Sequence, residues 1–344
     1  MKKNTKVSKK RLNSLLMILL LTAVLLIMST YAWFTANRTV KIDALDVTVA
    51  TSSGLQISAD GITWKTVLEK TDITDAYVNY PSSVNQLPTL MAPVSSVGTL
   101  DGSGHMEMFY GNVAADMDVG SATYSEYLLT TTKQTDVASN TVTTTGEFDK
   151  GYYMAFDVFL KVEEPAANLY MSGAVTEPVT QKGLANAARV GVIKSANSVA
   201  TDSTTAAIQG ISTAGGSVML WEPNADTHTQ NGVNNAAALG WGGSLTANSG
   251  NAPVTYDGVK AEVSKVVLKD ATAAKDGASF ATVSPTFVTN SGAIPSMTVT
   301  GGLSSGITKF RIYFWVEGQD VDCENNASGT DVQLDMSFSL DPIV

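Results

Sequence analysis

The sequence predicts an all-β fold, a jelly-roll-like β-sandwich with long loop insertions and one or two short helices, preceded by an N-terminal hydrophobic signal or anchor helix. Three observations predict it. Short runs of alternating apolar and polar residues recur along the chain, most plainly through Val332, Leu334, Met336, Phe338 and Leu340. Only 16% of residues are charged, well under the usual quarter, and Ser, Thr, Gly, Ala and Asn fill the gap, which favours strands joined by polar loops over helical bundles. Ahead of all this, a basic head (Lys2, Lys3, Lys6, Lys9, Lys10, Arg11) runs into an apolar stretch from Leu15 to Met28, broken only by Thr22.

That opening is the layout of an export signal: a positive region, an apolar region and small residues at a cut site. Thr30 and Ala32 occupy the −3 and −1 positions of a cut between Ala32 and Trp33. The alternative is a retained anchor. Even with Thr22 counted in, the run of about 14 residues is short of the roughly 20 a spanning helix needs. Yet no charge falls between Arg11 and Arg38, and Tyr31, Trp33 and Phe34 offer an aromatic belt, so residues 15–34 remain a membrane contact if uncleaved. Residues 1–32 are therefore read as signal peptide or anchor. Residues 33–344 are read as one β-sandwich domain with polar insertions at about 97–150 and 195–256. Both readings place the body outside the cytoplasm, at the cell surface or in an extracellular matrix, with a signal peptidase as an expected partner.

The elements follow in order. Thr39 to Val49 alternates through Val40, Ile42, Ala44, Val47 and Val49, with a phase slip near Leu45. Gly54 to Ser58 is a short strand, and Asp60-Gly61 turns it into Ile62-Thr63-Trp64-Lys65. Pro81, Pro88 and Pro93 punctuate an extended, loop-rich stretch. Tyr152 to Val162 is strongly β, with Tyr153, Ala155 and Asp157 on one face and Met154, Phe156, Val158 and Leu160 on the other. Leu169 to Met171 is a further strand. Gly183 to Lys194 carries Leu184, Ala187, Ala188 and Val192 near helical spacing and predicts a helix, although Arg189 to Ile193 also reads as the start of a strand. Thr201 to Tyr256 reads as a decorated insertion with little core. Val259 to Leu268, Lys309 to Glu317 and Val332 to Leu340 are the last strands.

Charge narrows the function. The chain carries −10; with the six basic residues before Leu12 set aside, 16 bases face 32 acids, a charge of −16. Such a surface lacks the basic patches that nucleic acid and anionic membranes require, so no nucleic-acid partner is expected. Cys323 is the only cysteine. It reads as a buried small residue, with intermolecular pairing as the alternative.

Catalytic chemistry finds little support. His105 and His228 are the only histidines; neither belongs to a His-Glu-x-x-His zinc pattern, and both read as exposed loop residues. A phosphate-loop pattern is absent. No cofactor is expected, with one candidate exception. Glu317, Asp320, Asp322 and Glu324 cluster with Asn325 and Asn326, an oxygen-rich set of the kind calcium takes; the competing reading is a solvated acidic loop. Trp221 and Trp241 flank the Gly/Asn-rich insertion, as core anchors or as stacking surfaces for sugars.

Several segments together resemble the TasA/camelysin group of exported Gram-positive surface proteins, whose signals are cut by a SipW-type signal peptidase. The carrying residues are Ser29-Thr30-Tyr31-Ala32-Trp33-Phe34-Thr35, Gly54-Leu55-Gln56-Ile57-Ser58 with Asp60-Gly61 and Trp64, and Phe156-Asp157-Val158-Phe159-Leu160-Lys161 with Asn168-Leu169-Tyr170-Met171. They continue with Ala188-Arg189-Val190, Trp221-Glu222-Pro223-Asn224, Phe314-Trp315-Val316-Glu317-Gly318-x-Asp320-x-Asp322-Cys323 and Val332-x-Leu334. The resemblance implies a jelly-roll sandwich and a biofilm matrix fibre in which each mature N-terminal strand is donated to the next subunit. The metalloprotease claim in the camelysin name finds no zinc motif here.

The residues give donation a rationale of their own. A free strand bearing Val40, Ile42, Val47 and Val49 can complete a neighbour's sheet; the competing reading is that it pairs at home. The expected function is thus a non-enzymatic structural protein of the surface or matrix, with itself or other matrix proteins as partners. The alternative is a membrane-anchored binding or adhesion module recognising a glycan or protein ligand.

Overall fold

The computed structural model describes residues 40–49, 54–84, 87–88, 90–113, 128–134, 150–166, 168–177, 182–239, 246–247, 266–267, 288–289, 297–299, 302–318, 320–323 and 331–341. The signal region, with the cut at Ala32 and Trp33, and Trp241 and Glu324 lie outside these residues. Among the described residues no helix is long and apolar enough to cross a membrane.

The strands are β1 (Val40–Val49), β2 (Gln56–Ser58), β3 (Val67–Glu69), β4 (Leu90–Met91), β5 (Met108–Val113), β6 (Leu128–Gln134), β7 (Lys150–Gly151) and β8 (Met154–Val162). They continue as β9 (Leu169–Thr176), β10 (Ala188–Val199), β11 (Ser217–Glu222), β12 (Val266–Val267), β13 (Val288–Thr289), β14 (Met297–Val299), β15 (Gly306–Val316) and β16 (Asp331–Ser339). Among the described residues three short helices accompany them: α1 (Lys70–Asp75), α2 (Thr205–Gln209) and α3 (Gln230–Leu239), with a 3-10 turn at Ala76–Val78.

The fold is all-β, and two sheets dominate it. Sheet I runs β14-β9-β16-β1-β4-β7, with β3 also on β1; sheet II runs β13-β11-β10-β15-β8-β2; β12-β6-β5 form a small third sheet. The two large sheets face each other across one core. Met171, Val175, Leu334, Met336 and Phe338 of sheet I meet Phe156, Val158, Leu160, Val190, Val192, Phe310, Ile312 and Phe314 of sheet II. Phe310 and Phe338 pack with ring centroids 5.8 Å apart.

Sheet II is also covered on its outer face. Tyr153, Ala155, Tyr313 and Trp315 pack there against Val84, Val94, Met106 and Met108, and Phe159 and Ile307 pack against Tyr80, Ile208 and Ile211. This explains why β15 is buried at every position, while β16 alternates as its sequence pattern predicts. A sheet buried on both faces needs apolar residues on both.

Two expectations are corrected. The predicted helix over Gly183 to Lys194 is a turn at 183–187 followed by β10, the strand that joins β11 to β15. Its apolar residues recur at helical spacing only because both strand faces are buried. The Thr201 to Tyr256 insertion also contributes to the core: β11 lies inside sheet II, and Trp221 is fully buried. A Cβ on Gly173 would come within 2.9 Å of the Trp221 ring, so the indole sits against bare backbone of sheet I and offers no stacking surface.

β1 pairs at home. It lies parallel to β16 on one side and antiparallel to β3 and β4 on the other. Val47 is fully buried. The ladder places Ile42, Leu45, Val47 and Val49 beside Val332, Leu334, Met336 and Phe338, with a bulge between Ile42 and Ala44. The phase slip thus falls one or two residues before Leu45, and Leu45 takes the register position expected of Ala44.

Candidate functional site

Residues from three distant landmarks of the sequence converge at one end of the sandwich. Arg189 opens β10, Glu222 closes β11, and Glu317, Asp320 and Asp322 follow β15; His228 and Thr229 precede α3. All but the partly buried Thr229 are buried. The Arg189 guanidinium donates to Asp320 at 2.6 Å and contacts the Glu222 carboxylate at 2.6 Å. It also donates to the Asn186 and Ala188 carbonyls. Glu317 accepts from the Ser95 hydroxyl and from Trp315 Nε1.

Asp322 forms the second half of the knot. Its Oδ2 lies 2.8 Å from His228 Nδ1, and its Oδ1 accepts from the Thr229 N–H and hydroxyl at 2.8 and 2.9 Å. The Asp322 N–H in turn donates to Asp320 Oδ1 at 2.8 Å. Two glycines make room for it. A Cβ on Gly232 would lie 2.1 Å from Asp322 Oδ1, and Gly183 adopts φ +92° with Thr229 only 2.5 Å from where its Cβ would be. Around the rim, Glu177 accepts from the N–H groups of Lys182, Leu184 and Ala185 at 2.6, 2.5 and 3.1 Å. The Asn224 amide donates to Val175 and Ala185 carbonyls.

The electrostatics follow from crowding carboxylates out of water. Burial opposes the charged guanidinium of Arg189, but Glu222 and Asp320 hold its pKa above the ordinary value. Burial, reinforced by Asp320, pushes Glu222 up against the pull of Arg189. Burial likewise raises Asp322 despite its bond to His228. For His228, burial disfavours the imidazolium, yet the hydrogen bond and charge of Asp322, with Asp320 and Glu222 beyond, raise its pKa. Excess negative charge raises acids and histidine alike.

The predicted acidic set is thereby brought together in part, with a protein cation at its centre. Glu317, Asp320 and Asp322 are buried and bonded to protein partners, not displayed on a solvated loop. Among the described residues no group of three or more His, Cys, Asp or Glu is placed to hold a metal ion. His228 is a second correction. It reads as an exposed loop residue and is 5% exposed, with its Nε2 buried and without a hydrogen-bond partner. His105 stays in its loop, 3.3 Å from Asp101. Cys323 is buried at 3% exposure and packs in the sandwich core.

A second charged cluster lies on the outer face of sheet II. Asp157 of β8 meets Arg311 and Lys309 of β15. Arg311 Nε is 2.8 Å from Asp157 Oδ1, and Lys309 Nζ is 2.8 Å from Oδ2. Lys309 also donates to the Tyr80 hydroxyl at 2.7 Å. Burial works to raise the Asp157 pKa, but Arg311 and then Lys309 overcome it and lower the carboxyl to about 2. Burial and Arg311 push Lys309 below its ordinary value, and burial raises Tyr80.

The sequence reading missed these pairings, although a signal exists. Asp157, Lys309 and Arg311 are charges of opposite sign inside otherwise apolar strands, and a buried charge needs a counter-ion. A Gly-x-Ser-x-Gly pattern, read as absent from the sequence, is in fact present as Gly302-Leu303-Ser304-Ser305-Gly306. A nucleophile elbow runs from strand to helix. Here the string runs from a loop into β15, so its central Ser304 has no strand-to-helix turn to present it.

The geometry is that of a cross-linked scaffold. Each described carboxylate of the knot is bonded to a neighbouring element, so the knot ties β10, β11, α3 and the segment after β15 together. Comparison with family models, curated proteins and solved structures finds no match for this chain.

Proposed function

We propose that this chain is an exported, non-enzymatic structural protein of the cell surface or extracellular matrix, a jelly-roll sandwich that assembles with copies of itself by donation of β1. The observation that carries the reading is the place of β1 in sheet I. It is first in the chain among the described strands, yet it lies in the sheet interior, parallel to β16 through Val49↔Phe338. Withdrawing it would uncover the buried row Val332, Leu334, Met336 and Phe338 and an unpaired strand edge. A second copy's β1 carries the matching apolar row and backbone groups, as β-augmentation requires. Cleavage between Ala32 and Trp33 would leave a short leader ahead of that strand. The −16 charge of the remaining chain suits a soluble exported surface.

Mass spectrometry of the native N-terminus, with negative-stain microscopy, tests the proposal. A start near Trp33 and filaments are expected. The paired replacements Val40→Lys and Ile42→Lys put charge at ladder positions that β1 also occupies at home, so they should abolish filaments and lower the melting temperature of the monomer as well. Filaments that persist unchanged in that variant, or a native species retaining Leu15 to Met28, defeat the reading.

A further inference from the structure

β1 carries three charges, Lys41, Asp43 and Asp46, among apolar residues, and their parity is informative. β16 presents buried residues at every second position, Val332, Leu334, Met336 and Phe338. A regular strand laid beside it brings one parity class of its own residues against that row. The even class of β1 contains Asp46, and the odd class contains Lys41 and Asp43. Either regular register therefore sets a charge beside the buried row, which is strongly disfavoured without a partner.

A single extra residue between Ile42 and Asp46 removes the conflict by switching class partway, and the observed ladder contains it. Ile42 lies against Val332 and Ala44 against Gln333, so Asp43 is the extra residue; Leu45, Val47 and Val49 then follow against Leu334, Met336 and Phe338. Lys41 lies against Asp331 and Asp46 against Asp335. The bulge falls where β1 is least constrained. β4 pairs only with Val40 and Lys41, and β3 only with Asp46 to Thr48, so residues 42–45 bend with β16 as their ladder partner. A bulge bends its strand and adds local twist, and it pins the register of the pair that contains it.

We propose that the one-residue bulge at Asp43 is the register key of this junction: the sheet accepts a strand with this chain's phase slip, and by exchange that strand comes from a second copy in a single register. The choice of partner rests on the strand-donation reading above; the register does not.

Crosslinking in the mature full chain tests both. Thr48 and Ser337 are ladder partners, so Thr48→Cys with Ser337→Cys should join in high yield through a short bis-alkylating reagent, each thiolate displacing one halide. Thr48→Cys with Asp335→Cys should join poorly. Single-cysteine variants check that buried Cys323 stays silent. Asp46→Val clears the even class of charge and opens a regular register in which position 46 meets Met336 and Thr48 meets Phe338. The 48–337 yield should then fall several-fold; an unchanged yield overturns the key. Deleting Asp43 puts Val40, Ile42, Leu45, Val47 and Val49 in one class without a bulge, so the 48–337 product should persist, and its loss also overturns the key. Product mass decides the partner. A ladder of multimers supports a second copy, whereas a monomer band alone defeats the exchange reading and the choice of partner, with the register still decided by the yields.

Discussion

Asp157 serves two cations at once, so removing its charge takes the counter-charge from both Arg311 and Lys309 in the layer beneath Tyr80. Breaking a buried pair by deleting one partner costs about 3–5 kcal/mol, and Asp157→Asn should lower the melting temperature accordingly. A change within error would mean that water reaches the cluster. The pH dependence has a definite sign. A carboxyl lowered from 3.8 to about 2 contributes stability that is complete above 3.8 and is lost as pH falls toward 2. Acid titration of the wild type should therefore be steeper across that window than that of Asp157→Asn. His228 behaves oppositely. Its pKa is raised above 6.5 by Asp322, Asp320 and Glu222 against the effect of burial. Its contribution is complete below 6.5 and is lost as pH rises through the folded value, so His228→Gln should flatten the stability profile on the alkaline side. Equal alkaline slopes would show that the imidazole stays neutral. Calcium would have to compete for these same carboxylates. A cation at Asp320 and Asp322 must displace Arg189 and His228, so a melting temperature raised by millimolar calcium would identify the acidic set as a metal site, and an unchanged one would leave it as an ion-pair knot.

The turn from Gly183 into β10 and the start of α3 are built around one carboxylate, so their glycines should be intolerant. Gly232→Ala places a methyl 2.1 Å from Asp322 Oδ1, and overpacking of this kind costs about 1–3 kcal/mol. The cost should shrink in an Asp322→Ala background, where the obstruction is gone; an additive double-mutant cycle would rule out the contact as its source. The same region shows what sequence pattern can and cannot yield. β8, β15 and β16 are legible because their two faces differ in kind, or because alternation is clean. β10 is not, because burial on both faces turns Val190, Val192 and Ile193 into an apolar run that mimics helical spacing. The bulge in β1 leaves a trace, the phase slip, but only the ladder locates it at Asp43. Of the knot, the acids at 317–322 are visible as a cluster. Their partners Arg189, Glu222 and His228 are not, since they lie about 90 to 130 residues away and are brought close by sheet II's strand order.

At the scale of the whole molecule, charge would govern how copies meet in the proposed assembly. With the basic residues before Leu12 set aside the chain carries −16, so in the proposed assembly identical copies would repel before any strand is exchanged. Salt weakens that repulsion: screening lengths fall from about 30 Å at 0.01 M to about 10 Å at 0.1 M. The proposed strand exchange would bury apolar side chains and remake the same backbone ladder, and neither depends strongly on salt. The early association step should therefore speed up with sodium chloride while the finished joint gains little. Filament growth followed by light scattering should be faster at 150 mM than at 10 mM salt, with the resistance of preformed filaments to dilution almost unchanged. Magnesium or calcium at matched ionic strength should give a similar rate if screening is the cause, whereas a calcium-specific acceleration would assign the acidic residues a direct role in the joint. Growth that slows with salt would show that oppositely charged surfaces, and not a shared apolar strand, bring the copies together.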